Sequence, residues 1–420
     1  MTRDHHQCHR IAVTGMGTLS PLGRHTDESW DALLEGRSNL QKIEARVGER
    51  RFTQFGGLIP DFDAPEMVER IGAALSSRDQ RRLDRFILLG ALAADEAIAQ
   101  AGLKTLSASQ RENVGIIIGS GIGGLGRMMA AATGEEALRR PFFLPGVLIN
   151  SCAGIIASKY RFAGAIDAIS ASCATAAHAI GQGARSIRHG YNDIVICGGA
   201  EAAVMAAGFK SFRDLGALAS LEGGDPLAAC RPWDKDRSGF VLAEGAGVIV
   251  LENYAHAQAR GATILAELAG YGQSAGGDDL VSPQISGDGA KLAIRRCLED
   301  AGWSSESVDY INAHATGTVL GDDIELAAIE TIFSGPEAPV ISSIKGLSGH
   351  TLGAAGAVEA IISINTLLNG VAPGTHNLHQ PGRESRIRRL TAPRRADYRR
   401  VISNNFGFGG VNACLAFAKA

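Results

Sequence analysis

Short apolar runs ending in glycine, alanine or polar residues recur along the chain, separated by longer segments with helical spacing of their apolar positions. RIAVTGMGTLSPLG (10–23) reads as a buried strand running into a Gly/Pro turn, and a helix follows near TDESWDALLEG with Thr26 or Asp27 as its cap. DRFILLGALAADEAIAQAG (84–102) has helical spacing and stops at Gly102, while ENVGIIIGSGIGGLG (112–126) is a strand that opens into a glycine-rich loop. DIVICGGAEA (193–202), GAGVIVLENYAHAQARGA (245–262), ILAELAGYGQSAG (264–276) and VDYINAHATGT (308–318) are further β-type runs. Strands alternating with helices predict a layered α/β protein with largely buried sheets.

Two segments share a plan. AISASCATAAHAIGQGARSI (168–187) and VISSIKGLSGHTLGAAGAVEAI (340–361) are each a β-run, a turn with a reactive side chain, and a helix of small residues. Small side chains let buried helices approach closely, which suggests two related halves whose equivalent helices meet. Two unrelated βα units of similar composition would read the same way. No clean linker divides the chain, and GRESRIRRLTAPRRADYRR (382–400) is an arginine-rich surface segment before the last strands.

Composition narrows the classes. With 420 residues, 45% of them hydrophobic, 20% charged and 53 glycines, the chain suits an ordered α/β protein of one large domain or two smaller ones. A net charge of -3 gives no general drive toward nucleic acid or an anionic membrane, and neither partner is expected. No apolar run approaches the roughly 18 residues of a membrane span. MTRDHHQCHR lacks the apolar core of a signal peptide, and an odd count of 7 cysteines fits reduced thiols. A cytoplasmic protein is the expectation, with residues 1–9 a disordered polar leader.

Cys173 stands at the start of the first small-residue helix, where free N–H groups and the positive dipole end favour thiolate over thiol. His314 ends a strand, and His350 sits at the mouth of the second small-residue helix, places where α/β folds put catalytic groups. Each residue by itself would also suit a buried structural role. Together the three form a constellation for nucleophilic chemistry.

SASCATAAHAIG, NAHATGTVLGD, KGLSGHTLGAAGAVEA and SNNFGFGGVN (403–412) occur in a characteristic order, joined by GSGIGGLG (119–126) and PWDKDRSGFVLAEGAGVIVLE (232–252). On these motifs the chain resembles the β-ketoacyl-acyl carrier protein synthases, nearest the elongating Cys-His-His (type II) group, over nearly its whole length from residue 10. The resemblance implies a thiolase-like α/β fold with five layers, α-β-α-β-α, built from two pseudo-symmetric halves. Residues 10–262 would carry the nucleophilic cysteine and residues 263–420 the two histidines. It implies that Cys173 takes an acyl group from a thioester, with the N–H groups of Cys173 and Phe408 as oxyanion hole. A malonyl thioester then decarboxylates against His314 and His350, and its carbanion attacks acyl-Cys173 to give the β-ketoacyl product. Lys345 would hold charge near the second histidine in a network with Glu325 and Glu359. Thr316 and Thr318 would hold the phosphopantetheine arm of acyl carrier protein, Phe406 and Phe408 would gate the site, and Ile122 would border the acyl tunnel. Arg81, Arg82, Lys210 and Arg213 would receive the acidic carrier. The resemblance calls for no metal and no cofactor beyond the arm that the substrate carries. It implies a homodimer through central strands, or a heterodimer with a chain-length subunit. Fatty acid biosynthesis is the expected pathway; specialised polyketide, polyene or signal-lipid assembly is the alternative.

Some positions depart from the commonest pattern. Ala315 follows His314 where glycine is usual, and its methyl is expected to restrict φ and narrow the pantetheine channel. SASC lacks the typical Thr before the Ala-Cys pair, and Asp79 stands where a base is more frequent. GSGIGG also satisfies a dinucleotide fingerprint, but no second strand ends in an acidic residue at the expected distance. HHQCH (5–9) has metal-ligand types yet is contiguous and without a distant partner pair. Cys414 raises a thiolase reading, although it lies in NACLAFA rather than in a C-x-G turn. Chain-length subunits lack the nucleophile, so Cys173 argues for a catalytic one.

Overall fold

The structure, a computed structural model, describes residues 9–47, 50–134, 142–222 and 224–420. Of the expected leader, and of HHQCH within it, only His9 lies among the described residues. Ten strands follow one another in a single hydrogen-bonded order that divides into two five-stranded sheets joined at one short pairing. The first contains β1 (Ile11–Leu19), β2 (Val114–Gly119), β3 (Ile166–Asp167), β4 (Ile194–Glu201) and β5 (Gly245–Asn253), in the order β3-β2-β4-β5-β1. The second contains β6 (Ala266–Ala275), β7 (Tyr310–Asn312), β8 (Val340–Ser342), β9 (Arg400–Gly407) and β10 (Val411–Ala418), in the order β8-β7-β9-β10-β6. The order is the same in both, and so are the directions: β2 runs parallel to β3 and β4, β7 runs parallel to β8 and β9, and the other pairings are antiparallel. The sheets join only where Ala12 and Val13 meet Glu267 and Ala266.

Helices repeat in step. α1 (Arg85–Gln100), α2 (Ser151–Tyr160) and α3 (Thr175–Arg188) follow β1, β2 and β3; α4 (Asp288–Ala301), α5 (Val319–Ile332) and α6 (Ala355–Asn369) follow β6, β7 and β8. α1 and α2 cover the outer face of the first sheet, α4 and α5 that of the second, and α3 and α6 fill the layer between. This is the five-layered arrangement of two equivalent halves.

The layers explain why the strands read as unbroken apolar runs. Val248 and Val250 of β5 point outward to Phe86 and Leu89, while Ile249 and Leu251 point inward to the cluster of Ile180 and Ile361. Both faces are dry. In the central layer the helices nearly touch: a side chain on Gly356 would begin 2.6 Å from the backbone nitrogen of Ala177. Residues Leu352–Asn369, 18 in all with mean hydropathy 1.3, are long and apolar enough to span a membrane, against the sequence expectation that no run comes close. Here they are 89% buried between the sheets.

Other local expectations need correction. The cap of the helix Thr26–Glu35 is His25, whose ring accepts from the Glu28 N–H; Thr26 and Asp27 are already helical. The run 245–262 is a strand only as far as Asn253, whose side chain accepts from the Ala255 and His256 N–H groups and starts the short helix Tyr254–Ala259. The hairpin of Leu40–Val47 and Arg50–Gly57, which the sequence did not reveal, ends against Leu242 and Ala243 beside the site.

Candidate active site

Parallel strands deliver the candidate residues at their carboxyl ends, where open α/β sheets place their chemistry. Beyond β3, Ser172 takes a left-handed conformation (φ 49°). Thr175 Oγ1 fastens the turn, accepting from the Ala171 N–H (2.8 Å) and donating to the Ser172 carbonyl (2.7 Å). Cys173 is thereby fixed just before α3, whose first N–H groups carry no side-chain cap. A side chain on Gly407 would begin 3.2 Å from the Cys173 nitrogen, so glycine there leaves that amide open.

The expected standing thiolate is corrected by the surroundings of the sulfur. Burial pushes the Cys173 thiol up to about 12, against the Lys345 ammonium and the Phe408 N–H, which pull it down. Desolvation outweighs both of these attractions. The resting group is a thiol with a backbone donor already turned to it.

The histidines are held by their main chains. The His314 and Ala315 N–H groups donate to the two oxygens of Glu325 (2.9 and 2.7 Å), and the His314 carbonyl accepts from Lys345 Nζ (2.6 Å). His350 is stitched to the first half, its N–H donating to the Val241 carbonyl (2.8 Å) and its carbonyl accepting from the Ala243 N–H (3.0 Å). The two rings lie 5.5 Å apart, edge to face, with Phe240 4.9 Å from His350 and Phe406 6.0 Å from His314. Burial, reinforced by the Lys345 ammonium, holds both imidazoles well below the ordinary range. They are neutral near pH 7, and each then carries one N–H donor.

Behind them sits a charged network of buried groups. Lys345 Nζ is ion-paired with Glu359, which also accepts from Asn405, and Asn404 donates to Glu325 (3.1 Å). Burial raises the Glu359 carboxyl to about 7, with Lys345 and Asn405 opposing the rise. Lys345 is only 1% exposed and stands behind the reaction space, not within it.

A cavity of about 360 Å³ brings the rest together: Cys173, His314, His350, Thr316, Thr318, Phe406 and Phe408 all border it, and Glu325 reaches its wall. The Thr316 and Thr318 hydroxyls lie 3.1 Å apart. Leu215, Val319 and Leu320, all exposed, mark its rim. Ile122 does not line this cavity; it packs with Leu125, Phe212 and Leu352 in the apolar cluster around Cys173. Ala315 keeps a negative φ, so the expected backbone restriction is absent, but it lines the cavity beside Thr316.

Of the carrier-docking candidates, Lys210 and Arg213 lie on the helix Ala206–Asp214 that leads to the rim at Leu215; Lys210 pairs with Asp214, and Arg213 covers the Phe52 ring. Arg81 and Arg82 lie elsewhere, in the turn before Asp84, with Arg82 stacked 3.5 Å over Phe142. None of the four borders the cavity.

Glu201 was not read from the sequence. It accepts from Ser120 Oγ (2.7 Å) and from the N–H groups of Gly121 (2.7 Å), Ile122 (3.3 Å) and Gly353 (3.2 Å), clamping the GSGIGG loop to the turn after His350. Those amides are therefore occupied by a carboxylate, and a dinucleotide pyrophosphate has no place in the loop. Phe240, which packs on His350, was also missed. Cys414 lies in the outer cluster with Ile311 and Ile402, away from the cavity, which removes the thiolase reading.

Comparison with known proteins agrees with this geometry. Residues 9–257 match the family described as the β-ketoacyl synthase N-terminal domain, and residues 265–379 match the corresponding C-terminal domain. A protein of Vibrio harveyi named 3-oxoacyl-[acyl-carrier-protein] synthase 2 is 41% identical over 418 residues, covering 98% of each chain. Among solved structures, a β-ketoacyl synthase from Burkholderia phymatum superposes with a TM-score of 0.88 at 30% identity, over 98% of this chain and 100% of that one. The ishigamide ketosynthase/chain length factor gives 0.86 at 30% identity, over 98% of this chain and 99% of the other.

Proposed function

The chain belongs to the β-ketoacyl synthase family, and from that premise we propose how its site carries out the condensation. It is an acyltransferase that joins an acyl thioester to malonyl on acyl carrier protein, giving β-ketoacyl-carrier and CO2 in fatty acid biosynthesis. A second reading, a specialised polyketide, polyene or signal-lipid pathway, has support in the likeness to the ishigamide ketosynthase; the identity of 41% to the Vibrio harveyi relative against 30% to that protein favours the first.

In the first step Cys173 Sγ forms a bond to the thioester carbonyl carbon. The oxyanion rests on the N–H groups of Cys173 and Phe408, the old C–S bond breaks, and the thiol proton leaves with the departing pantetheine sulfur. A sulfur with its pKa raised by burial suits this course, because the proton moves as the bond forms. In the second step the malonyl C–CO2 bond breaks, and its electron pair becomes an enolate whose oxygen is held by N–H donors of His314 and His350. Neutral imidazoles suit this role: each donates without placing a second positive charge beside Lys345. The enolate carbon attacks the acyl carbonyl, the bond to Cys173 breaks, and the sulfur regains a proton from solvent. Lys345, Glu325 and Glu359 hold the histidines in place. Thr316 and Thr318 bind the phosphopantetheine arm, Phe406 and Phe408 gate the site, and Ile122, outside the cavity but in the apolar cluster that holds Cys173, borders the path of the acyl chain.

Carrier docking falls to Lys210 and Arg213 near the rim, with Arg81 and Arg82 as a separate contact. The two-residue edge strand β3, with Ile166 exposed, offers its open side to a second copy or to a chain-length subunit. No metal or resident cofactor enters these steps, and the proposed location is cytoplasmic.

One observation supports the scheme above others: the thiol and both neutral imidazoles, drawn from two halves, border one cavity. Intact-mass analysis after exposure to a panel of acyl carriers is expected to find one acyl group on Cys173. Cys173→Ala is expected to lower condensation by ~10³-fold or more while malonyl decarboxylation persists. Label on another cysteine, or none from any donor, contradicts the assignment.

A further inference from the structure

We propose that Arg237 is a positioning residue that shapes the loop of Thr316 and Thr318 for the phosphopantetheine arm, which rests on the reading of those threonines given above. PWDKDRSGF belongs to the first half of the chain but lies against the second. Trp233, in a left-handed conformation (φ 62°), donates its N–H to Asp322 (2.8 Å), and its carbonyl accepts from the Gly382 N–H (2.9 Å). Asp234 accepts from the N–H groups of His379 and Gln380, both at 2.8 Å. The segment is thus anchored on both sides before it reaches the loop.

From this base the segment holds the carbonyls of Gly317, Thr318 and Val319, the first through the Gly239 N–H and the other two through the Arg237 side chain. The Arg237 side chain, 4% exposed, donates to the carbonyls of Thr318 (3.4 Å), Val319 (3.0 Å) and Asp234 (2.9 Å), and pairs with Asp322 and Asp323. Gly317 donates its N–H to Asp322 (3.1 Å) and accepts at its carbonyl from the Gly239 N–H (2.9 Å), while the Cys230 thiol meets the Thr316 carbonyl (3.4 Å). The two hydroxyls, bonded to each other, stand on the cavity wall.

Helix stabilisation does not account for this placement. A guanidinium at the amino end of α5 opposes the helix dipole, and a buried ion pair is a weak source of stability beside apolar packing. Its definite effect is geometric: Arg237 fixes which way two hydroxyls face. Such a role bears on holding the arm and leaves the chemistry at Cys173 alone.

The test compares acylation of Cys173 by an acyl-phosphopantetheine thioester with acylation by an acyl S-ethyl thioester, which has no group for the threonines to hold. Arg237→Lys is expected to raise KM for the first about ten-fold with kcat within two-fold, and to leave both constants for the second within two-fold. Thr316→Val with Thr318→Val is expected to raise the same KM, and adding Arg237→Lys to that pair to raise it no further. Equal losses on both thioesters, or an additive effect in the triple variant, overturn the proposal. A threonine pair that raises KM while Arg237→Lys does not overturns it too and leaves the arm-binding reading standing; an unchanged KM in the threonine pair removes that reading itself. Should Arg237→Lys not fold, Asp323→Asn, at a half-exposed side chain that pairs with Arg237, decides: about three-fold in KM for the arm-bearing thioester supports the proposal, and no change overturns it.

Discussion

At equivalent places, between the third strand of each sheet and its central helix, the first half carries Cys173 and the second carries Lys345 and His350. The frames agree strand by strand, but the environments diverge. Around Cys173 the first half packs Ile122, Leu125 and Phe212, a dry setting suited to a hydrocarbon chain. Around His350 the second half buries Lys345, Glu359, Glu325, Asn404 and Asn405, a hydrogen-bonded polar network. After the second strand the contrast repeats: the first half has a glycine loop pinned by Glu201, the second has His314. A duplicated scaffold thus offers two matching sockets, and the chemistry depends on filling them differently. One stores a protonated sulfur among apolar groups; the other keeps two rings uncharged, mainly by burial and then by the nearby Lys345.

The comparison can be broken at several points. Largest is the separation of the half-reactions: His314→Ala or His350→Ala is expected to lower malonyl decarboxylation about 10²–10³-fold, the size of one lost oxyanion donor. Acylation of Cys173, followed by mass, should stay within a few-fold. If acylation falls equally, the halves do not divide the work. Next is the network itself. Lys345→Ala leaves Glu359 unpaired in the interior and should cost ~3–5 kcal/mol in urea unfolding, with Lys345→Met plus Glu359→Gln recovering most of it. A double variant as unstable as the single one would show that packing, not charge, holds this region.

The first half has its own buried carboxyl. Burial raises Glu201 from 4.5 to about 7, so between those values the folded protein keeps a proton that the unfolded chain has released. The associated stability is complete below about 4.5 and is lost as pH rises through about 7. Unfolding free energy of the natural protein should fall relative to Glu201→Gln across that interval, by up to ~3 kcal/mol. Parallel curves would mean that the four donors keep this carboxylate ionised. Smallest is the seam between halves, where Gly356→Val should cost ~1–3 kcal/mol by overpacking against Ala177. A neutral result in thermal unfolding would show that α3 and α6 can part without penalty.

Much of this was legible in the sequence because it is local. Apolar runs became strands, SASC and KGLSGH became equivalent turns, and the ordered motifs carried the resemblance that assigned Cys173, His314 and His350. What escaped is tertiary. Glu201 ends a strand and reads in sequence as a solvated end; only the pairing of Gly119 with Gly199 brings the glycine loop onto it. The helix start beside Cys173 can be read from sequence, but the desolvation that pushes its thiol up comes from layers far apart along the chain. Ala315 looked restrictive because glycine is usual there, but the positive φ of this loop falls on Gly317 (86°) and not on Ala315. His25 was overlooked as a cap because Ser, Thr, Asp and Asn are the usual choices.

The apolar run Leu352–Asn369 has a consequence for synthesis. It leaves the ribosome after the whole first sheet, and until it docks, Ile249 and Leu251 keep only part of their cover. A nascent chain at that stage displays a sheet face awaiting its lid and then a segment apolar enough for a bilayer. Closing the core is therefore a late step of biogenesis, and the interval before it is when this protein has most need of a chaperone.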